Sequence, residues 1–236
     1  MKLEFLGIGK RFVRADGRSL DVLEDVSFTV EPHGFASLVG PSGCGKSTIL
    51  NLLAGLLAPD RGTIRIGGHP LDRRRHRIGY VFQKPRLLNW RTVRQNVEFA
   101  LRADGVLALV GLTPFADEFP LTLSGGMQQR VAIARALAIE PDVLLMDEPF
   151  SHLDELTARA QRRELLRFRD KIEATVLFVT HNALEAVYLA DRVFVLGARP
   201  TRIEAAFTVE APRTREIDEP YVLQLQRSVL AALGAP

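Results

Sequence analysis

The sequence predicts an α/β fold: a mainly parallel sheet, an antiparallel β part at its N-terminal end, and an inserted helical segment. Three observations carry this. Short apolar runs at Phe35–Val39, Val143–Met146 and Thr175–Val179 are flanked by glycine, proline or charge, the pattern of strands buried on both faces. Each run is followed by helical periodicity, over residues 47–57, 156–172 and 183–190, and strand followed by helix, repeated, calls for a parallel sheet. Residues 2–8 and 22–30 instead alternate apolar and polar around Asp16 and Gly17, which predicts a half-exposed antiparallel hairpin at the start of the fold.

The remaining elements follow from punctuation. Between Thr92 and Leu112 the pattern is helical, Pro114 and Pro120 mark a loop, and Ser124 can cap a further helix reaching Ile139. This stretch holds no strand pattern, so a helical subdomain over about residues 86–140 is expected inside a core of about residues 1–85 and 141–210. After Arg202 an alternating strand runs to Val209, then a Pro-rich turn, then a last helix over about residues 219–233. The densest basic run, Arg73, Arg74, Arg75, His76 and Arg77, lies between two apolar stretches and reads as a solvated hairpin end.

Composition bounds the function classes. The 236 residues are 47% apolar and 25% charged, enough for one large core, and no apolar run approaches the roughly 20 residues of a membrane helix. Glu4 and Lys10 interrupt the N-terminal apolar stretch, so a secretory signal is not expected, and the single Cys44 makes no internal disulfide. A cytoplasmic setting is the default. Lys+Arg 31 against Asp+Glu 28 is too small an excess to imply a polyanionic partner.

The chemistry concentrates in three places. Gly40-Pro41-Ser42-Gly43-Cys44-Gly45-Lys46-Ser47-Thr48 satisfies G-x-x-x-x-G-K-S/T between an apolar strand and a helix, the P-loop pattern. Its glycines let backbone N–H groups turn inward, the helix start adds positive potential, Lys46 can reach the β- and γ-phosphates of a nucleotide, and Ser47 can offer its hydroxyl to Mg²⁺. Cys44 needs only to be small there, although a thiol at a helix start is also open to a redox reading. Second, the strand Val143–Met146 ends in Asp147 and Glu148: Asp147 can face a magnesium shell beside Ser47, while Glu148 can point outward to polarise the attacking water. Third, Ser124-Gly125-Gly126 opens a helix with exposed N–H groups, a second anion site that the insertion holds away from the first. A head-to-tail dimer reconciles the two, each nucleotide lying between Lys46 of one chain and Ser124 of the other.

With Leu123-Ser124-Gly125-Gly126-Met127 followed by Gln128-Gln129-Arg130, the sequence resembles the ATP-binding cassette superfamily over about residues 3–203. The resemblance implies a P-loop NTPase core. It makes residues 40–48 the Walker A loop, Gln83 the Q-loop glutamine, catalytic and at the metal, and residues 143–149 the Walker B strand. It likewise makes Asp154 the D-loop aspartate, His181 the switch histidine that contacts the γ-phosphate, and Phe12 the aromatic that stacks on adenine. ATP and Mg²⁺ are the implied ligands, with Ser47, Gln83 and Asp147 around the metal. The implied assembly is a homodimer closing on two ATP, a separate integral-membrane permease and an extracytoplasmic solute-binding protein, at the cytoplasmic face of the cell membrane and without nucleic acid.

Within the superfamily, Leu87-Leu88-Asn89-Trp90, the run from Asp147 to Thr157 and the run from Phe178 to Leu196 resemble importer ATPases for nitrate, sulfonate, taurine and related solutes. A soluble cassette protein acting on nucleic acid or the ribosome is the competing class, and a nucleotide-dependent scaffold without turnover is a third. The departures from the family pattern are His152, Asn182, Asn89 and a shortened stretch over residues 101–106. Trp90, in a loop expected to be exposed, suits either a docking groove or the core.

Overall fold

The computed structural model describes residues 1–13, 15–99 and 104–234. Strands β1 (Leu3–Val13), β2 (Ser19–Val30) and β3 (Phe35–Val39) lead into helix α1 (Lys46–Leu53). β4 (Arg61–Ile66), the two-residue β5 (His69–Pro70) and β6 (Ile78–Val81) follow, then α2 (Val93–Glu98), α3 (Asp104–Leu109) and α4 (Gly125–Leu137). The order closes with β7 (Val143–Asp147), α5 (Glu155–Arg169), β8 (Thr175–Thr180), α6 (Ala183–Leu189), β9 (Arg192–Leu196), β10 (Ile203–Thr208) and α7 (Pro220–Ala232).

These strands form two sheets, an antiparallel one of order β2-β1-β4-β5 and a larger one of order β10-β9-β3-β8-β7-β6. In the larger sheet only β10 pairs antiparallel. Its central strands β3, β8 and β7 read as unbroken apolar runs because both faces are covered. Val143 and Leu145 of β7 pack with α1 and the small sheet, whereas Leu144 and Met146 pack against the helices on the other side. β8 divides the same way, Leu177 and Val179 against Val176 and Phe178, as the two-residue period of a strand requires. Each such side chain, fully buried, contributes about 1.5–3 kcal/mol. In the small sheet, Leu3, Phe5 and Ile8 are fully buried, and the register shifts between Phe5 and Ile8. Gly62 faces that shift at φ +81°, where a Cβ would lie 2.4 Å from the carbonyls of Leu6 and Gly7, so only glycine fits.

Registry of the parallel strands positions the site. Val39 of β3 lies beside Thr180 of β8, Val179 of β8 beside Asp147 of β7, and Met146 of β7 beside Val81 of β6. The loops carrying Lys46, His181, Glu148 and Gln83 therefore leave the same edge of the sheet, where open α/β sheets bind their ligands.

Three expectations need correction. The basic run Arg73–Arg77 is not a hairpin end, because β5 belongs to the small sheet while β6 pairs in parallel with β7 of the larger one. It is a crossover between sheets, and His76 is buried, its Nδ1 accepting from the Asp72 N–H at 3.2 Å. The helical stretch from Thr92 to Leu112 resolves into α2 and α3. Leu101, Arg102 and Ala103, in the shortened stretch, lie outside the described residues. Finally α1 stops at Leu53 rather than Leu57, with Gly55 at φ +64° turning the chain.

Candidate nucleotide site

The loop after β3 is shaped by close approach. A Cβ on Gly40 would lie 2.8 Å from Leu196 Cβ and 3.0 Å from Cys44 Sγ, and Gly43 and Gly45 hold φ of +74° and +119°. Gly45 stands at the cap of α1 and no side chain caps the helix, so its first N–H groups face the loop, ready for an anion. Lys46 is 6% exposed, and its ammonium donates to the carbonyls of Gly40 at 2.7 Å and Pro41 at 3.0 Å. Ser42 and Ser47 are exposed, and Thr48 is half-buried. Cys44 is buried, and burial pushes its thiol up against the opposing pull of Lys46 and Arg199. A thiol held protonated is a packing atom, which favours the small-residue reading of this position.

Glu148 follows β7 in a left-handed conformation, φ +41°, which costs on the order of 1 kcal/mol or more for a non-glycine residue. Two sets of bonds hold it there. Its N–H donates to the Val179 carbonyl at 2.9 Å, and its own carbonyl accepts from the Ser151 hydroxyl at 2.9 Å. The carboxylate, expected to point outward, turns to two neighbours: Oε2 lies 2.8 Å from His181 Nδ1 and Oε1 3.8 Å from Lys46 Nζ. Asp147 accepts from the Tyr80 hydroxyl at 3.3 Å. Burial and the neighbouring Glu148 charge hold Asp147 above the usual carboxylate range, partly offset by Tyr80 and Lys46. The same burial and the Asp147 charge push Tyr80 up.

Gln83 lies beside this group, its amide donating to Ser151 Oγ at 3.0 Å. The segment after it is pinned by Arg135 of α4, which donates to the carbonyls of Pro85 and Arg86, each at 2.9 Å. Phe12 sits on β1, half-buried, with the Lys10 ammonium 5.6 Å from its ring centre. Asp154 caps α5 by accepting from the Thr157 N–H at 3.0 Å, and hydrogen bonding from the Thr157 side chain and then its N–H holds the carboxyl low.

Ser124 caps α4 in the same manner, accepting from Met127 N–H at 3.3 Å. A Cβ on Gly125 would meet Leu153, and one on Gly126 would meet Gln161 and Thr157, so this helix end packs on the turn into α5. The structure thus brings Lys46, Glu148, His181 and Gln83 together with Asp147 close by, while Ser124–Gly126 forms a group with Leu153 and Thr157. Tyr80, Thr201 and Arg162 received no role from the sequence. Thr201 donates to the Cys44 carbonyl and braces the loop from the side of β2, a contact across 157 residues that no local pattern signals.

Trp90 is 74% exposed. Its loop is nonetheless fixed, because the buried Asn96 side chain accepts from Leu88 N–H at 2.8 Å and donates to the carbonyls of Leu88, Arg91 and Thr92.

A parallel sheet with a P-loop, an acidic strand end and a histidine on one edge defines an α/β P-loop NTPase. The family model described as ABC transporter matches residues 23–151, and the chain belongs to that family. It is an ATP-binding protein and ATPase of the ABC transporter class. A nitrate import ATP-binding protein of Synechocystis is 40% identical over 239 residues, covering 96% of this chain and 90% of that protein. A taurine import ATP-binding protein of Rhizobium johnstonii is 44% identical, covering 86% and 82% respectively. Among solved structures, the dimeric bacterial ABC transporter cassette MJ0796 superposes with a TM-score of 0.73 at 30% identity, covering 89% of this chain and all of that one, and a second structure of it is a post-hydrolysis state with ADP and phosphate.

Proposed function

We propose that this chain hydrolyses ATP to drive a separate membrane permease that imports a small solute of the nitrate, sulfonate or taurine kind. The single observation that carries the catalytic part is the cluster Lys46–Glu148–His181 at the shared edge of β3, β7 and β8. The import part is supported by the similarity to nitrate and taurine import ATP-binding proteins. In this reading the backbone of residues 40–48 cradles the phosphates and Lys46 neutralises β- and γ-oxygens. Glu148 takes a proton from the attacking water as the new P–O bond forms and the bridging β–γ P–O bond breaks, releasing ADP and phosphate. His181 contacts the γ-phosphate, Gln83 orients the water, and Phe12 stacks on adenine.

Magnesium fits the residues present. Ser47, Asp147 and Gln83 offer the oxygen donors a hard cation prefers, and among the described residues no group of three His, Cys, Asp or Glu could hold a metal unaided. The ion, when bound, would neutralise charge on the β- and γ-phosphate oxygens.

For partners, the reading has a homodimer that closes on two ATP, with Ser124, Gly125, Gly126 and Asp154 of each chain completing the other's site. It further has an extracytoplasmic binding protein and a position at the cytoplasmic face of the cell membrane. The reading takes the permease to be another chain; no helix of the described residues is long and apolar enough to cross a membrane. A groove lined by Tyr80, Phe82, Leu88, Phe99 and Ile139, with Phe99 73% exposed, offers the permease an apolar seat beside the helical part over about residues 86–140.

Glu148→Gln tests the catalytic part. The amide accepts no proton, so turnover should fall by about 10²- to 10⁴-fold with ATP still bound. Unchanged steady-state hydrolysis would end the general-base assignment.

A further inference from the structure

Arg162 lies in the Gln161-Arg162-Arg163-Glu164 stretch of α5, a sequence that reads as a solvated helix face. Its side chain is instead 1% exposed, the largest among the fully buried side chains of the described residues. Nη1 donates to Oε1 of Glu185, itself nine-tenths buried, at 2.7 Å, and Nη2 donates to Glu155 at the start of α5. The second Glu185 oxygen accepts from Thr180 Oγ1 at 2.7 Å. Thr180 Oγ1 in turn accepts from the Asn182 N–H at 3.0 Å, and Asn182 Oδ1 caps α6 by accepting from the N–H groups of Leu184 and Glu185.

His181 sits between the two anchored residues. Its own ring is half-exposed and bonded to Glu148, so its aim depends on the backbone that presents it.

We propose that Arg162 is a positioning residue for His181, acting through the buried Glu185 carboxylate and the Thr180 hydroxyl; this rests on the reading of His181 given above. A buried ion pair is a poor means of stabilisation, since apolar side chains of similar volume often serve as well or better. What it supplies here is direction. The guanidinium holds both acids with one bond to each, one Glu185 oxygen is left to aim Thr180, and Thr180 orients the peptide on the far side of His181.

The test separates aim from stability. Arg162→Met combined with Glu185→Leu removes both buried charges together, and Glu155, whose side chain is 73% exposed, keeps its hydration. Melting temperature should stay within a few degrees and the KM for ATP within about twofold, while kcat falls about tenfold or more, the effect of misplacing a catalytic group. Thr180→Val should reproduce the kcat loss and Thr180→Ser should retain the rate, which keeps the proposal testable if the double variant does not fold. Because the effect runs through His181, adding the double change to His181→Ala should slow single-turnover hydrolysis no further. Wild-type kcat in the folded double variant and in Thr180→Val, or losses that multiply with His181→Ala, would overturn the positioning role. The reading of His181 itself fails separately, if His181→Ala alone hydrolyses ATP at the wild-type rate, and the proposal then falls with it.

Discussion

At the residue scale the site is a set of charges in enforced proximity. Lys46 is buried against two carbonyls of its own loop with Glu148 at 3.8 Å, which holds its ammonium at the edge of the parallel sheet. Lys46→Ala should weaken equilibrium binding of a nucleotide analogue by roughly tenfold to a hundredfold, the equivalent of losing about 1.5–3 kcal/mol of charge-assisted bonding. Unchanged affinity would place the nucleotide elsewhere. The types and spacing of residues 40–48 and 147–148 are legible in the sequence because each group acts through its immediate backbone. The direction of the Glu148 carboxylate is not, since its partners Lys46 and His181 are 102 and 33 residues away and meet it only through strand registry.

At the element scale, the junction of β3, α5 and β9 turns on one carboxylate. Asp191 accepts from the Phe35 N–H at 2.9 Å and from Arg213 at 3.2 Å, and it is bonded to Arg169, whose guanidinium also lies 4.9 Å from the Phe35 ring centre. Burial alone would raise the Asp191 carboxyl, but Arg169, the Phe35 amide and Arg213 together hold it below its ordinary value. A depressed native value means stability that is present above the ordinary carboxylate range and lost as the pH falls through the native value. Asp191→Asn should therefore cost about 2 kcal/mol near pH 7, with the deficit shrinking below about pH 4. Urea unfolding of both proteins across that range checks this, and a deficit independent of pH would contradict it. None of it is visible in Ala190-Asp191-Arg192, which reads as a polar strand start.

For the whole molecule, the two glycine-rich helix starts face different neighbours, Lys46 the edge of the parallel sheet and Ser124 the turn into α5. If a partner's Ser124 completes the site, Ser124→Arg should abolish the ATP-induced dimer in a Glu148→Gln background, because a bulky cation fills the space of the γ-phosphate at the interface. Binding of ATP to the isolated chain should be unaffected. Sedimentation with ATP reads both, and a fully formed dimer would refute the head-to-tail arrangement.

Sequence alone determined what depends on period and neighbours: the apolar runs of β3, β7 and β8, the helices after them, the loop from Gly40 to Thr48, and the cap Ser124. It could not tell that Arg73–Arg77 crosses between two sheets rather than closing a hairpin, because a strand's partner is not written in its own pattern. Nor could it tell that Arg162 is buried. An arginine in a charged helix is indistinguishable from a solvated one until α6 brings Glu185 against it, and that approach is set by the packing of α5 and α6 on the parallel sheet. Tertiary structure decided which charges lost their water, and with them which side chains aim the chemistry.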